Sequence, residues 1–336
     1  MLEGETDMAK KNKIIWAKLI ANPGAGDISE AASKIEQVTC YLMDAGLKVD
    51  VALAKPKKEA IPIAGKAIKD GYDVVIAMGG DGTIGAVIRG IAGSKVSFGI
   101  IASGTENDIA RSLGIPEDVK QACAIIASGH TRRLDLGQVS TKKNKKFYFF
   151  MLTAIGLTAS IFPMIKEVPE GKLSGIGKAV ATLFKFETKP IVNLTLDDES
   201  KVEVETMLVT IANTPLIGAK NLVAPDASME DGLLDIAVYP DFSKTDLLAY
   251  FAKTAHEGST PDGTIQRYRA RKIKVKSSPK LDVAAEGIIL GKGTARIKLL
   301  PAALRVLAPE PGSGAEKTQE EKSARELPGP VSPVSH

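Results

Sequence analysis

Three times within its first 111 residues, the chain runs from a short apolar stretch into a glycine-bearing turn and then into helical periodicity. The turns are "ANPGAGD" (21–27), "GGDGT" (79–83) and "SGTENDIAR" (103–111). Apolar strands alternating with amphipathic helices build a parallel sheet with helices on both faces, because a parallel connection needs a crossover long enough to hold a helix. "IIWAKLIA" (14–21), "LKVDVALA" (47–54), "DVVIAM" (73–78) and "VSFGIIA" (96–102) supply the strands. "SEAASKIEQVTCYLMDAG" (29–46), "EAIPIAGKAIKDG" (59–71) and the stretch after Thr83 read as helices.

In such an open sheet, ligands bind beyond the carboxyl ends of the strands, where all of these turns fall. Gly24 and Gly26 let the backbone approach an anion, and the helix that follows offers its positive end. Gly79, Gly80, Gly82 and Thr83 repeat that arrangement, and Thr105 and Asn107 supply side-chain donors ahead of a further helix. Three such turns at successive strand ends point to one phosphate-binding crevice. Asp81 inside it would repel a bare phosphate, so it needs a cation or a hydroxyl proton beside it. Mg²⁺ on a nucleoside triphosphate meets that need, directly or through water. The plainer alternative is that Asp81 caps the helix starting near Thr83.

The pattern changes near residue 132. "RRLDLGQVS", "KFYFFMLTA", "PIVNLTLDD", "KVEVETMLVTIAN" and "GLLDIAVYP" are closely spaced strands of mainly antiparallel character, interrupted by expected helices near 175–186 and 244–256. "IQRYRARKIKVKS", "KLDVAAEG", "ARIKLL" and "LRVLAP" complete the folded part, and the Glu-, Ser-, Gly- and Pro-rich tail from 310 to 336 is expected to be disordered. At 336 residues and 44% hydrophobic content the chain favours two domains. The expected division is a flexible 1–12, an α/β nucleotide-binding domain at 13–131, a β-sandwich-like domain at 132–303 and a strand at 304–309 that packs back on the first domain.

Charge and cysteine usage exclude several classes. Lys and Arg total 44 against 40 acidic residues, and a net charge of +4 is too mild to argue for nucleic acid. The basic runs "KKNK" (10–13), "KPKK" (55–58) and "KKNKK" (142–146) read as solvated loops that could also meet anionic lipid headgroups. Cys40 and Cys123 lie in segments with helical apolar spacing and are expected to be buried thiols. The three histidines are not paired at ligand spacing, which argues against a zinc site or a histidine triad. With no leader pattern and no span-length apolar run, the expectation is a cytoplasmic protein that at most touches a membrane peripherally.

The series "NPGAG", "GGDGT", "GTENDIARSLGIP", "LDLGQV", "APDASMEDGLLDIAVY" and "LLPAALRVLAP", in that order, resembles the bacterial soluble lipid kinases of the diacylglycerol kinase catalytic-domain family. "GGDGT" alone also occurs in NAD kinases, whereas the combination is the lipid-kinase pattern. The resemblance implies ATP- and Mg²⁺-dependent phosphorylation of a lipid hydroxyl, diacylglycerol or similar, in a cleft between the domains. It places Asn22, Gly24 and Gly26 in a first nucleotide turn, Gly79, Gly80, Asp81, Gly82 and Thr83 in the phosphate loop, and Thr105 and Asn107 at a third contact. It also implies a structural metal on Asp231 and the carbonyls of Ser228 and Leu233. A homodimer is kept as an option.

Several positions depart from the family pattern. Gly85 and Ala86 stand where an Asn and a Glu usually follow the phosphate loop, Ala25 and Ala54 replace a Ser and a Thr, and Thr158 stands at a further Asp. The late Asp-Gly-Glu motif, whose Asp is the expected base, reads Ala284, Ala285, Glu286. Glu286 is therefore the candidate base, with Asp282 a poorer one on the same strand face and Asp81 a third if no metal claims it. Two readings follow: a lipid kinase using Asp81 and Glu286, or a catalytically impaired nucleotide- or lipid-binding relative. An NAD kinase stands third.

Overall fold

The computed structural model describes residues 15–24, 28–55, 59–157, 189–217, 221–222, 224–243, 245–247, 249–250, 253 and 264–311. Gly26, Ala25, Thr158, the helix expected at 175–186, most of that expected at 244–256, and the basic run at 10–13 lie outside the described residues.

The first part is a parallel sheet in the order β2 (Leu47–Leu53), β1 (Ile15–Ala21), β3 (Val74–Gly79), β4 (Ser97–Ala102). β3 is buried at every position, as a strand covered on both faces must be. Helices α1 (Ile28–Asp44) and α5 (Val119–Ser128) pack together, with the Cys123 thiol 4.0 Å from the Val38 carbonyl. Helices α2 (Ala60–Lys69) and α3 (Asp81–Ile91) form the other pair. They approach so closely that a Cβ on Gly90 would lie 2.6 Å from the Ile61 carbonyl oxygen. Helix α5 is delimited by local chemistry: the Asp118 side chain accepts from the Gln121 N–H at 2.8 Å, and Gly129 ends the helix in the left-handed region. Cys123 is buried, but Cys40 is exposed, correcting the expectation for that thiol. At 100° per residue Cys40 points away from Val38 and Leu42, which carry the buried stripe of α1.

The second part is a sandwich. Its six-stranded antiparallel sheet runs β14 (Gln266–Ala270), β13 (Leu234–Val238), β10 (Leu208–Ala212), β7 (Leu152–Gly156), β16 (Asp282–Ala285), β17 (Ile288–Lys292). The facing layer continues the first sheet through β18 (Ala295–Leu307), β15 (Lys272–Ser278), β8 (Ile191–Leu196) and β9 (Ser200–Glu205), with β5 (Thr131–Thr141) against β18 and β6 (Phe147–Phe149) against β5. Phe149, Val192, Val275 and Ile297 from this layer meet Ile155, Ile211, Ile236 and Val283 from the other in one apolar core.

Stretches read as separate strands, "ARIKLL" and "LRVLAP", are one 13-residue strand, β18, irregular between Leu300 and Leu304. Its Arg305 and Val306 pair in parallel with Ser97 and Phe98 of β4, while Ala295 to Lys298 pair antiparallel with β15. β5 flanks it on both sides of the irregularity. The long ribbon β5–β18 thus belongs to both halves of the molecule.

Candidate nucleotide and acceptor site

The turns after β1, β3 and β4 converge because those strands are neighbours. The Asn22 N–H donates to the Met78 carbonyl at 3.0 Å, and the Ser103 N–H donates to the Gly79 carbonyl at 3.1 Å. Asn22 also accepts from the Gly24 N–H at 3.1 Å. The glycines are required by contact as much as by any ligand. A Cβ on Gly104 would lie 2.4 Å from the Gly80 Cα, and one on Gly79 would lie 2.7 Å from the Thr83 side chain. Gly82 differs, since a Cβ there would meet nothing within 4 Å. It opens onto the start of α3, where backbone N–H groups without intrahelical partners present the positive end of the helix dipole.

Asp81 is the first residue of α3, yet its side chain serves another helix. Its Oδ1 accepts from the Ile109 N–H at 2.9 Å, the opening turn of the short helix α4 (Asp108–Ser112). Among the described residues its Oδ2 accepts no hydrogen bond, so one carboxylate oxygen remains for a hydrated cation. Asn107 adopts the left-handed region at φ 55° and is buried. Its Oδ1 accepts from the Gly104 N–H at 3.0 Å, and its amide donates to the Gly104 carbonyl at 3.0 Å and to Glu117 at 3.2 Å. This amide shapes the third turn from within. Thr105 is exposed at the tip, and Thr83 is buried below the turn after β3. A cradle of close-packed glycine, helix-terminal N–H groups and one half-committed carboxylate suits the phosphates of a Mg²⁺-bound nucleotide.

Glu286 arrives from the second part, in the turn between β16 and β17, at φ 49°. Its Oε1 accepts from the N–H groups of Phe150 and Met151 at 2.7 and 2.9 Å. Its Oε2 lies 3.5 Å from Arg89 on α3, both side chains being nearly buried. Gly85 makes this possible: a Cβ there would sit 3.0 Å from Glu286 Oε2 and 3.3 Å from the Arg89 guanidinium. Arg89 also stacks over Phe147, 5.0 Å from the ring centroid. Burial raises the Glu286 carboxyl above the ordinary range; the Met151 N–H, Arg89 and the Phe150 N–H oppose that rise, and nearby Asp81 adds to it. Burial lowers the Arg89 guanidinium, against the pull of Glu286. Arg89 carries a signal that sequence reading passed over, a lone cation on an otherwise apolar helix face.

Ala284, at the position of the missing Asp, is buried opposite Ala154 of β7. Asp282 is turned to Lys292, 3.4 Å away, and does not join the cluster.

The residues expected to hold a structural metal sit on the turn before β13. Asp231 accepts from the Leu233 N–H at 3.0 Å and pairs with Arg269, which also lies 3.2 Å from Asp235. Ser228 accepts from the Glu230 N–H at 3.3 Å. Both Asp231 oxygens are engaged and a guanidinium already supplies the positive charge, so this arrangement does not fit a resident Mg²⁺. Asp135 of β5, also passed over, is buried and holds the turn: it accepts from the Gly232 N–H at 2.8 Å and the Ala302 N–H at 2.7 Å.

Comparison with known proteins gives a consistent result. The model of the diacylglycerol kinase catalytic domain matches residues 17–139, and that of the YegS C-terminal NAD kinase beta sandwich-like domain matches 161–308. A diacylglycerol kinase of Mycobacterium tuberculosis is 28% identical over 306 residues, covering 90% of this chain and 98% of the relative. One from Bacillus subtilis is 28% identical over 281 residues, covering 81% and 89%. A crystal structure of a diacylglycerol kinase from Bacillus anthracis shares the fold, with a TM-score of 0.69 at 22% identity over 89% of this chain and 99% of that one.

Proposed function

Because this chain belongs to the diacylglycerol kinase catalytic-domain family and is accordingly a phosphotransferase, we propose that it transfers the γ-phosphate of ATP to a lipid hydroxyl, that of diacylglycerol or a similar long-chain alcohol. The observation that carries this reading is that Glu286, from the second half of the chain, lies against Gly85 and Arg89 of α3, the helix that Asp81 opens at the glycine cradle. Mg²⁺ on the nucleotide supplies neutralisation of phosphate charge. Asn22, Gly24 and Gly26 bind in the first turn, Gly79, Gly80, Gly82 and Thr83 accept the phosphates, and Thr105 and Asn107 close the third side. Asp81 offers its Oδ2 to the hydrated ion. Glu286 takes the proton of the acceptor hydroxyl, its basicity enhanced by burial. Arg89 holds Glu286 against α3, so that base and phosphate turn share one rigid element.

We place the protein in the cytoplasm, in lipid metabolism, with peripheral contact to the membrane that supplies its substrate. The turn bearing Lys142 and Lys143 surrounds, with Lys292, the exposed Ile289 of β17, a combination suited to an anionic bilayer surface. Among the described residues no helix is long and apolar enough to cross a membrane.

A second reading, a relative that binds nucleotide or lipid without transfer, draws on the buried methyl of Ala284 at the position of the usual base. The test is incubation of the purified protein with γ-labelled ATP, Mg²⁺ and a panel of lipids in micelles, with NAD as a separate acceptor. Asp81→Asn is the control, since it retains an acceptor for the Ile109 N–H. Label in a lipid that is lost in the variant is the expected outcome. ATP binding with no labelled lipid supports the second reading, and label in NAD overturns both.

A further inference from the structure

Phe150 and Met151 lie in the bend between β6 and β7, outside both strands, and turn their N–H groups to Glu286. Asn213, the fully buried residue that follows β10, fixes that bend. Its backbone N–H donates to the Met151 carbonyl at 2.8 Å, one step beyond the Leu152–Ala212 pair of the β7–β10 ladder. Its side-chain amide donates to the Phe150 carbonyl at 2.9 Å and to the Asp135 carbonyl at 3.1 Å. Among the described residues its Oδ1 accepts no hydrogen bond. The donors therefore set the orientation of the amide, because the reverse orientation would bring its oxygen against two carbonyl oxygens.

The Phe150 carbonyl and the Met151 N–H belong to one planar peptide unit. A hydrogen bond to the carbonyl polarises the N–H at its other end, which donates to Glu286 Oε1 at 2.9 Å. We propose that Asn213 is a positioning residue for phosphoryl transfer, acting through the Phe150–Met151 peptide to hold the Glu286 carboxylate beside α3. Asp135 anchors the same amide to the β5–β18 ribbon. The inference rests on the reading of Glu286 as the base. It also has a direction in pH. Burial raises the Glu286 carboxyl; the Met151 N–H leads the groups that oppose the rise, ahead of Arg89 and the Phe150 N–H, and Asp81 adds to it. Loosening the peptide weakens both N–H contacts, so the carboxyl moves further up.

The test is ¹³C NMR titration of the glutamate carboxyls of the full chain, with Glu286→Gln identifying the Glu286 signal, beside lipid-kinase kinetics. Asn213→Ala is expected to move the Glu286 titration upward by about half a pH unit or more, and the acid limb of kcat/KM with it. It lowers kcat by about tenfold or more, leaves KM for ATP unchanged, and costs nothing further in a Glu286→Gln background. Asn213→Ser, whose hydroxyl can donate to one carbonyl at most, is the milder variant and gives smaller shifts of the same sign. Thr206→Val removes a buried hydroxyl that donates to the Leu208 and Tyr239 carbonyls, and is the control for lost stability without a change at Glu286. A Glu286 titration unmoved in the folded Asn213 variants, one moved equally by Thr206→Val, or the same loss of kcat in both backgrounds overturns the proposal. A wild type that labels no lipid overturns the reading of Glu286 as base, while the titration still decides whether Asn213 holds the carboxylate.

Discussion

Glu286 is the residue in which burial, strain and charge meet. Its backbone lies in the left-handed region, which costs energy for a residue with a side chain, and its carboxyl is raised chiefly by burial. A raised carboxyl means that the folded protein holds the proton more tightly than the unfolded chain. The stability this adds is present at acid pH and lost as the pH rises through the raised value. In its proposed role as base, Glu286 must be deprotonated, so the acid limb of kcat/KM is expected above the ordinary carboxylate range. Glu286→Gln should abolish that limb and lower the rate by about 10²- to 10⁴-fold. A variant that keeps both limb and rate removes Glu286 from the chemistry, and a shift confined to thermal stability leaves it a purely structural tie. The carboxylate itself was legible in the sequence because it stands where the family's Asp-Gly-Glu motif also has a carboxylate. Arg89 and Gly85 were not legible as its partners, because no local pattern brings α3 to the β16–β17 turn.

At the level of elements, the two glycine turns after β3 and β4 act as a single piece. Gly80 and Gly104 touch through their Cα atoms, while Asp81 caps α4 rather than its own helix. Gly104→Ala forces a methyl into that contact and should destabilise the fold by about 1–3 kcal/mol in thermal or denaturant unfolding. Gly82→Ala points into open space and should leave stability unchanged while weakening ATP binding in calorimetric titration, because its methyl enters the volume over the start of α3. Equal loss of stability in the two variants contradicts this division of roles. The existence and order of the turns were readable from glycine spacing after apolar runs. Their contact was not, since it depends on β3 and β4 being adjacent and in register.

For the whole molecule the deciding feature is the β5–β18 ribbon, which pairs with the parallel strands at one end and the sandwich at the other. Asp135 clamps it by accepting N–H groups from Ala302 in β18 and Gly232 near β13. Two halves that share one paired ribbon, interrupted only between Leu300 and Leu304, are expected to unfold together. Scanning calorimetry should show one endotherm, and two resolved endotherms count against the ribbon as a shared element. The sequence by itself determined what depends on near neighbours: the alternation of strand and helix, the glycine turns, the change to closely spaced strands near residue 132, and the membership of a kinase family. The tertiary structure alone decided that Asp231 faces Arg269, that Cys40 faces water, and that Glu286 accepts from the N–H of Phe150, 136 residues earlier, while reaching Arg89 on α3. The physical reason is range: periodicity and turn chemistry act over a few residues, whereas the charge and burial of a side chain are set by whichever strand the fold lays beside it.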